Sequence, residues 1–496
     1  MTLRRGLAVG LTAATLVLLL VELAVARPGG GQSFSGGGGH GGSSGGGGGG
    51  GAIFELIVWL FRLIFYYPQV GLPLLGIIIG YFAYSAYKQH QNKDWDSGPP
   101  VELRRAVTLD DIKRVDPDFS HVLFEDFAFR LFSTAHRVRH SAETLATVAP
   151  YVSEAARDAL ATRAPAGVPV SSVVVGAMRV VGVEAPETAP DAPGQQRIGI
   201  TIELEANVTT ADHTYYSVET WRFGRDAAQH TRPPGATKGF PCPSCGAPWQ
   251  AAATGSQVCA SCSQVVDNGR FDWVVEDITL RSIDVRPPTL TTEVPERGTD
   301  LPTYRQPDVD RRLIELEHDD PAVTVTALEQ RVAMIYDQLN RGWANNDLRP
   351  VRGLVSDGLY DYLQYWVDAY KQQDLRNQLV DMRITHAAIV KVSRDRWYHA
   401  VTVRIWATGK DFVERASTGE HVRGSQHRER AYTEYWTLIR STARKGPPVT
   451  QPACSNCGAP LQITMAGECE FCSAHVTAGE FDWVLSKIEQ DDSYRG

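Results

Sequence analysis

The 496-residue chain has no cysteine outside four Cys-x-x-Cys pairs, and this restriction is its most informative absence. A secreted domain held together by disulfides would scatter its cysteines, so the pairing argues against a disulfide framework. The spacing instead predicts metal ligation in a reducing compartment. The ligands are Cys242, Cys245, Cys259, Cys262, Cys454, Cys457, Cys469 and Cys472.

Each quartet predicts a zinc ribbon, over residues 240–264 and 452–474. Four thiolates close the coordination shell of a tetrahedral ion, so both ions would be structural Zn²⁺ and neither would be catalytic. The Cys-Gly-Ala-Pro turns after Cys245 and Cys457 allow the tight bend that such a knuckle needs. Two alternatives stay open, namely redox-active or disulfide-bonded pairs and an iron–sulfur cluster.

Positive charge is outnumbered by negative charge, with 49 Lys and Arg against 57 Asp and Glu. The formal net charge is −8, and neither ribbon carries a Lys or Arg between its first and last cysteine. Phosphate contacts dominate nucleic-acid affinity, so these ribbons are poor nucleic-acid binders. A nucleic-acid-binding ribbon protein remains only as an alternative function.

Residues 70–87 are apolar and carry no charge, and another apolar stretch, residues 53–67, precedes them. About 20 apolar residues cross a bilayer, so we expect a transmembrane region at 52–88 with one spanning segment. Residues 1–26 resemble a signal peptide or signal anchor, and the Gly/Ser-rich residues 27–51 predict a flexible tether.

Orientation follows from the flanking charges. Lys88, Lys93, Arg104 and Arg105 follow the span, whereas only Arg27 lies between the signal segment and the span. The positive-inside rule then places the domains beyond residue 88 in the cytoplasm.

Beyond a linker at 89–109, the sequence contains two copies of one pattern. Glu219-Thr-Trp221 with Arg225 corresponds to Glu434-Tyr-Trp436 with Arg440, and Phe-Asp-Trp273 corresponds to Phe-Asp-Trp483. Ordered matches at nearly constant offsets indicate a repeat, with domains at 110–286 and 313–490 joined by a Pro-rich linker at 287–312.

Each repeat begins with helical spacing and continues with alternating strands, which predicts an α+β fold with helices on one face of an antiparallel sheet. Asp116-Pro117 and Asp320-Pro321 look like starts of the first helices. Second helices are expected near 142–162 and 348–373. The four tryptophans of the repeated motifs are interpreted as core residues.

This arrangement resembles bacterial members of the family named for subunit 44 of the mitochondrial inner-membrane translocase. The resemblance rests on the signal segment, the Gly-rich tract, the apolar span, Asp116-Pro-Asp-Phe119 and the Glu-x-Trp-x-x-x-Arg strands. It implies tandem cone-shaped domains like nuclear transport factor two, each with a curved sheet around an apolar pocket. With the tether, it leads us to expect a scaffold or adaptor in a bacterial inner membrane that binds polypeptide, or alternatively lipid. We expect no enzyme activity, because the two copies share no histidine at an equivalent place.

Cone folds also house enzymes that use a pocket acid or base, so an enzyme is the alternative function. Four residues are candidates for such a role: His136, His140, His386 and Asp381. We interpret the first two as part of a solvated basic face with Arg130, Arg137 and Arg139. The other two are interpreted as surface residues near the start of a strand.

Overall fold

This computed structural model describes the two halves of the chain that follow the predicted membrane region. Its described residues are 109–188, 190, 192–234, 240–253, 255–285, 301–447, 457–459, 469, 471–472, 479, 482–491, 494 and 496, with 66, 67, 69 and 80. The predicted signal segment, the tether, Cys454 and nearly all of the region 52–88 lie outside them. Among the described residues, no helix has the length and apolar character that a membrane crossing requires.

The first half begins with helices capped by serine. Its long helix begins after Ser120, whose side chain accepts a hydrogen bond from the backbone N–H of Leu123. Ser141 and Ser153 cap the two shorter helices in the same way. The helices are α1 His121–Val138, α2 Ala142–Leu145 and α3 Glu154–Ala161, with 3₁₀ turns at Asp110–Arg114 and Ala146–Val148.

The strands of the first half are long and antiparallel. They are β1 Ser172–Glu184, β2 Arg197–Thr209, β3 Thr214–Asp226 and β6 Val274–Val285, with the short β4 Ala251–Ala252 and β5 Gly255–Cys259 between β3 and β6. The main sheet has the order β1-β2-β3-β6, and β4 pairs with β5 in a separate hairpin. Isoleucines of β2 alternate into the core, as their period of two predicts.

The second half repeats this order of elements. Its helices are α4 Val309–Asp319, α5 Val325–Ala344 and α6 Asp357–Gln372, with a 3₁₀ turn at Arg349–Leu354. Its strands are β7 Leu375–Arg394, β8 Tyr398–Arg415, β9 His421–Gly424, β10 Arg430–Ser441 and β11 Val484–Gln490. The sheet has the order β11-β10-β8-β7, with β9 paired to β8. The prediction of an α+β fold with antiparallel sheets is confirmed.

The predicted helix starts at Asp116-Pro117 and Asp320-Pro321 are wrong. The long helices begin at His121 and Val325, after Ser120 and Thr324, whose hydroxyls cap the free N–H groups. The predicted second helices are also shorter than expected. In the first half, a 3₁₀ turn separates α2 from α3, which begins after Ser153. In the second half, the predicted stretch begins with a 3₁₀ turn, and α6 begins only after Ser356.

The two halves contact each other closely. In the first half, Asn207 donates a hydrogen bond to the Tyr365 hydroxyl of the second half at 3.1 Å. Lys487 of β11 forms an ion pair with Glu125 of α1 at 2.6 Å. Val174 and Tyr216 are buried with the core of the second half, although their strands belong to the first sheet. These contacts hold the two halves together as neighbours and cover part of the first sheet's outer face.

Candidate metal centres

The cysteine-rich segments lie at one position in each half. The first runs between β3 and β6 and contains the β4–β5 hairpin, and the second runs between β10 and β11. Each segment thus connects the last two strands of a sheet, where a plain hairpin loop would otherwise suffice.

The first cluster brings four thiols together. The sulfurs of Cys242, Cys245, Cys259 and Cys262 all lie within 4.8 Å of one another. Cys242 and Cys262 are 3.8 Å apart, and Cys245 and Cys259 are 4.0 Å apart. A tetrahedral ion with bonds of about 2.3 Å to sulfur separates its ligands by about 3.8 Å. Disulfide sulfurs would be about 2.05 Å apart, so the geometry fits a shared cation and not a cross-link.

Two tight turns position these thiols. Gly246 has a φ of +75° and donates its N–H to the Cys242 carbonyl at 2.9 Å. Ser263 has a φ of 58° and donates to the Cys259 carbonyl at 2.8 Å, and the N–H of Ser261 points at the Cys259 sulfur at 3.4 Å. Backbone N–H groups directed at sulfur stabilise thiolate ligands.

The thiol pKa values reflect this environment. Burial raises the pKa of the Cys242 thiol to about 12. Burial also acts to raise the pKa of Cys259, but backbone hydrogen bonds from Cys262 and Ser261 outweigh it and lower the pKa to about 7. Two thiols are buried (Cys242 and Cys259), and Cys245 is exposed. A cation at the centre would therefore face solvent on one side only.

The second cluster contains three described thiols. The sulfurs of Cys457, Cys469 and Cys472 meet the same 4.8 Å limit, with 3.9 Å between Cys457 and Cys469. Gly458 has a φ of +73°, matching Gly246 in the first turn. The predicted fourth ligand, Cys454, lies outside the described residues.

The first ribbon is anchored to its own half by contacts that the sequence did not predict. The Trp249 indole donates to the Ala146 carbonyl at 2.9 Å, and the Tyr151 hydroxyl donates to the Pro241 carbonyl at 2.9 Å. Arg232 also donates to the Pro243 carbonyl. Trp249 and Phe271 pack against the small buried cluster of Cys242, Cys259 and Val266. An aromatic residue just after the Cys-Gly-Ala-Pro turn was the available signal for this docking.

The repeated Asp, Arg and Trp residues form the same buried unit in both halves. Arg225 pairs with Asp116 at 2.6 Å and lies over the Trp273 ring, 4.6 Å from its centre. Arg440, Asp320 and Trp483 repeat this arrangement at 2.6 Å and 4.9 Å. The aspartates that looked like helix starts therefore serve an ion pair, and the tryptophans are core residues as predicted.

The candidate acid–base residues separate into two groups. Asp381 and His386 are exposed as predicted, and Asp381 pairs with Lys410 at 2.7 Å. The prediction of a solvated face is wrong for His136 and Arg139, because both are buried. The ring of His136 faces the core because its position on α1 places it beside Phe132 and Trp221.

A small cleft lies beside the buried unit of the second half. It has a volume of about 30 Å³ and is lined by Val323, Leu328, Arg331 and Trp483, among others. One water needs roughly 10–15 Å³ by this measure, whereas drug-sized ligands occupy pockets of about 300–1,000 Å³. The cleft can hold water and cannot hold a lipid chain.

Comparisons with known proteins give one family match. Residues 310–448 match the model of the Tim44-like domain, so a domain of this kind forms most of the second half. No curated protein matches the chain. A solved structure described as "Ntf2 like protein involved in plasmid conjugation" is similar at 8% identity, covering 74% of this chain and 97% of that one. Its TM-score is 0.16, which is too low to support an inference about the fold of this chain.

Proposed function

We propose that the chain is a membrane-anchored, non-enzymatic scaffold whose α+β domains bind polypeptide through their ribbon tips. The observation that carries the proposal is the Tim44-like domain at residues 310–448, which suggests a membrane-associated scaffold or adaptor. The first half is proposed as a second copy of this domain. Its support is the buried Asp116–Arg225–Trp273 unit, which has the geometry of its counterpart in the matched half.

Zinc is the ion proposed for both ribbons. The first cluster has four thiols at distances that suit a tetrahedral ion, and thiolate ligands favour zinc over Mg²⁺ or Ca²⁺. Each ion would fasten the connection between the last two strands of its sheet. Cys454 is proposed as the fourth ligand of the second site.

The proposed absence of catalysis rests on how the described charges are used. The buried carboxylates of Asp116 and Asp320 are each paired with arginine, and Asp381 and His386 lie on the surface. The cleft beside Trp483 is too small for an organic substrate. It is equally too small for a lipid chain, and polypeptide is the partner that we propose.

An exposed aromatic side chain supports the second ribbon as the proposed contact surface. Phe471, between Cys469 and Cys472, is 59% exposed. Aromatic anchors contribute a large share of binding energy in protein interfaces. Membrane anchoring through residues 52–88, with both halves in the cytoplasm of a bacterium, completes the proposal. The charges flanking residues 52–88 support it.

In-cell photocrosslinking tests this function. A benzophenone amino acid at Phe471 should give discrete protein adducts, which mass spectrometry then identifies. The same probe at Ile314, which is 67% exposed on α4, is the matched control and should give few. Adducts that are absent at Phe471, or equal in number and identity at both positions, would contradict a polypeptide-binding ribbon.

A further inference from the structure

Six buried polar side chains lie on three adjoining segments of the first half, away from the metal centres. They come from the last turns of α1, the segment after α3 and the middle of β3. All are at most 7% exposed. We refer to them as the interior polar cluster: Ser133, His136, Arg139, Arg163, Ser217 and Glu219.

Glu219 lies at the centre of this cluster. One carboxylate oxygen, Oε2, accepts a hydrogen bond from the Trp221 indole at 2.9 Å and lies 3.4 Å from Nε2 of His136. The other, Oε1, lies 3.7 Å from Nε of Arg163. Burial acts to raise the pKa of Glu219, but His136, Arg163 and Trp221 outweigh it and hold the pKa at about 2. Glu219 is therefore a carboxylate at neutral pH.

The cluster carries more positive than negative charge. Two guanidinium groups, those of Arg139 and Arg163, face one carboxylate, which leaves one positive charge before any protonation of His136. Arg139 donates to the carbonyls of Arg163 and Ala164, which are neutral acceptors. A buried charge without a counter-charge is costly. One further anionic group would complete the balance.

Polar atoms of all six side chains also lack hydrogen bonds within the described part of the chain. They are the hydroxyls of Ser133 and Ser217, both ring nitrogens of His136, Nε of Arg139 and of Arg163, and Oε1 of Glu219. Buried polar atoms are almost always hydrogen-bonded, and a group of exceptions at one place needs a chemical explanation. Donors outnumber acceptors in this set, so the complementary molecule must offer acceptor atoms.

The second half is built differently at the equivalent positions. The equivalent positions follow from two alignments: the cap residues Ser120 and Thr324 align α1 with α5, and Glu219 and Glu434 align β3 with β10. In the second half, His136 is replaced by Asn340, Arg139 by Trp343 and Ser217 by Tyr432. The Tyr432 hydroxyl lies 2.7 Å from that of Tyr336, and the Trp343 indole donates to Asn377 at 2.8 Å. Aromatic rings thus fill the second interior, where the first has two small serines and charged groups.

We propose that the interior polar cluster of the first half binds a small monocarboxylate. A carboxylate supplies one negative charge and two acceptor oxygens, which suit guanidinium N–H groups and serine hydroxyls. Glu219 would repel a dianion more strongly than a monoanion, which favours a carboxylate over phosphate. Phe132 and Trp221, whose ring centres are 5.0 Å apart, border the cluster beside His136.

Equilibrium dialysis of the purified full-length chain with labelled acetate tests this inference. We expect saturable binding of one acetate per chain. Arg163→Gln should weaken it at least about tenfold, because a charge-assisted hydrogen bond is lost. Ser217→Tyr should abolish binding because the larger side chain occupies the ligand's space. It introduces the residue type of Tyr432, at the equivalent position of the second half, and removes no charge. Arg179→Gln, an arginine on the outer face paired with Glu205, is the matched control and should bind normally.

Circular dichroism and metal content show whether each variant folds. If Arg163→Gln does not fold, binding by Ser217→Tyr still tests the inference. No saturable acetate binding by the wild-type chain would overturn the inference, as would binding unchanged in both variants. Tighter competition by phosphate or chloride would overturn the monocarboxylate assignment.

Discussion

Arg225 and Asp116 lie in different elements of the first half, yet their side chains form a fully buried ion pair at 2.6 Å. The same carboxylate accepts hydrogen bonds from the backbone and hydroxyl of Thr231, so it also fixes the chain where β3 ends. Arg440 and Asp320 repeat the relationship, with Gly446 in the place of Thr231. Each pair links the start of a half to the strand that leads into its ribbon.

Removing one charged side chain of the Asp116–Arg225 pair should destabilise the protein strongly. Asp116→Ala leaves the Arg225 guanidinium buried without its counter-charge, and we expect a loss of about 3–5 kcal/mol of unfolding free energy. Urea denaturation followed by tryptophan fluorescence measures it, since Trp273 lies under Arg225. The exposed pair of Arg305 and Asp310 provides the control: Asp310→Ala should change the stability by less than about 1 kcal/mol. Equal effects of the two substitutions would contradict the role of burial.

The purified chain should contain two zinc ions, and Cys259→Ser should contain one. Loss of one thiolate opens the closed shell of the first site and leaves the second unaffected. Plasma mass spectrometry measures the metal, and thiol counting under denaturing conditions measures the free cysteines. Metal-free protein with its thiols oxidised would refute both the metal assignment and the proposed reducing location.

The contact between the halves should depend on Val122. This α1 side chain packs against Ile439 and Val484 of the second sheet. Val122→Lys places a charge in that apolar contact, so hydrogen exchange in β11 should become faster. The control is Val181→Lys, a valine that is 46% exposed, which should leave exchange in β11 unchanged. Unchanged exchange in the Val122 variant would mean that the contact contributes little in solution.

Acid should destabilise the second half through His399. Burial, with Arg394 and Arg440 nearby, lowers its pKa to about 4. The unfolded chain therefore binds a proton that the folded chain does not between pH 6.5 and 4, and stability falls as the pH drops through this window. The effect is on the order of 3 kcal/mol when complete.

Thermal unfolding of wild type and His399→Asn across this pH range checks the prediction. The variant should lose less stability between pH 6.5 and 4 than the wild type. His386→Asn removes an exposed histidine and serves as the control, with a pH dependence like that of the wild type. Identical curves for the His399 variant and the wild type would contradict the assignment.

Much of the site could be read from local patterns. Two Cys-x-x-Cys pairs about a dozen residues apart can meet at one ion, because each pair forms a turn whose geometry depends on neighbouring residues such as Gly246. The alternation of Ile198, Ile200 and Ile202 likewise indicates a strand with one buried face, since side chains of a strand point to opposite sides in turn.

Patterns misled where a residue's partner is distant in the chain. Asp116 and Asp320 precede prolines and look like helix starts, but their carboxylates pair with Arg225 and Arg440. His136 and Arg139 occur in a run of basic residues, yet only Arg137 of that run is exposed on α1. Local composition does not reveal which side of a helix the sheet will cover.

The sequence alone determined the α+β class, the position of both cysteine clusters and the helix–sheet order, because each depends on spacing within a few turns of chain. Only the tertiary structure decided that Asn207 contacts Tyr365 across the two halves and that His136 and Arg163 lie beside Glu219. These contacts join residues far apart in the chain, and they form only when packing of the apolar core brings the polar groups together and excludes water from them.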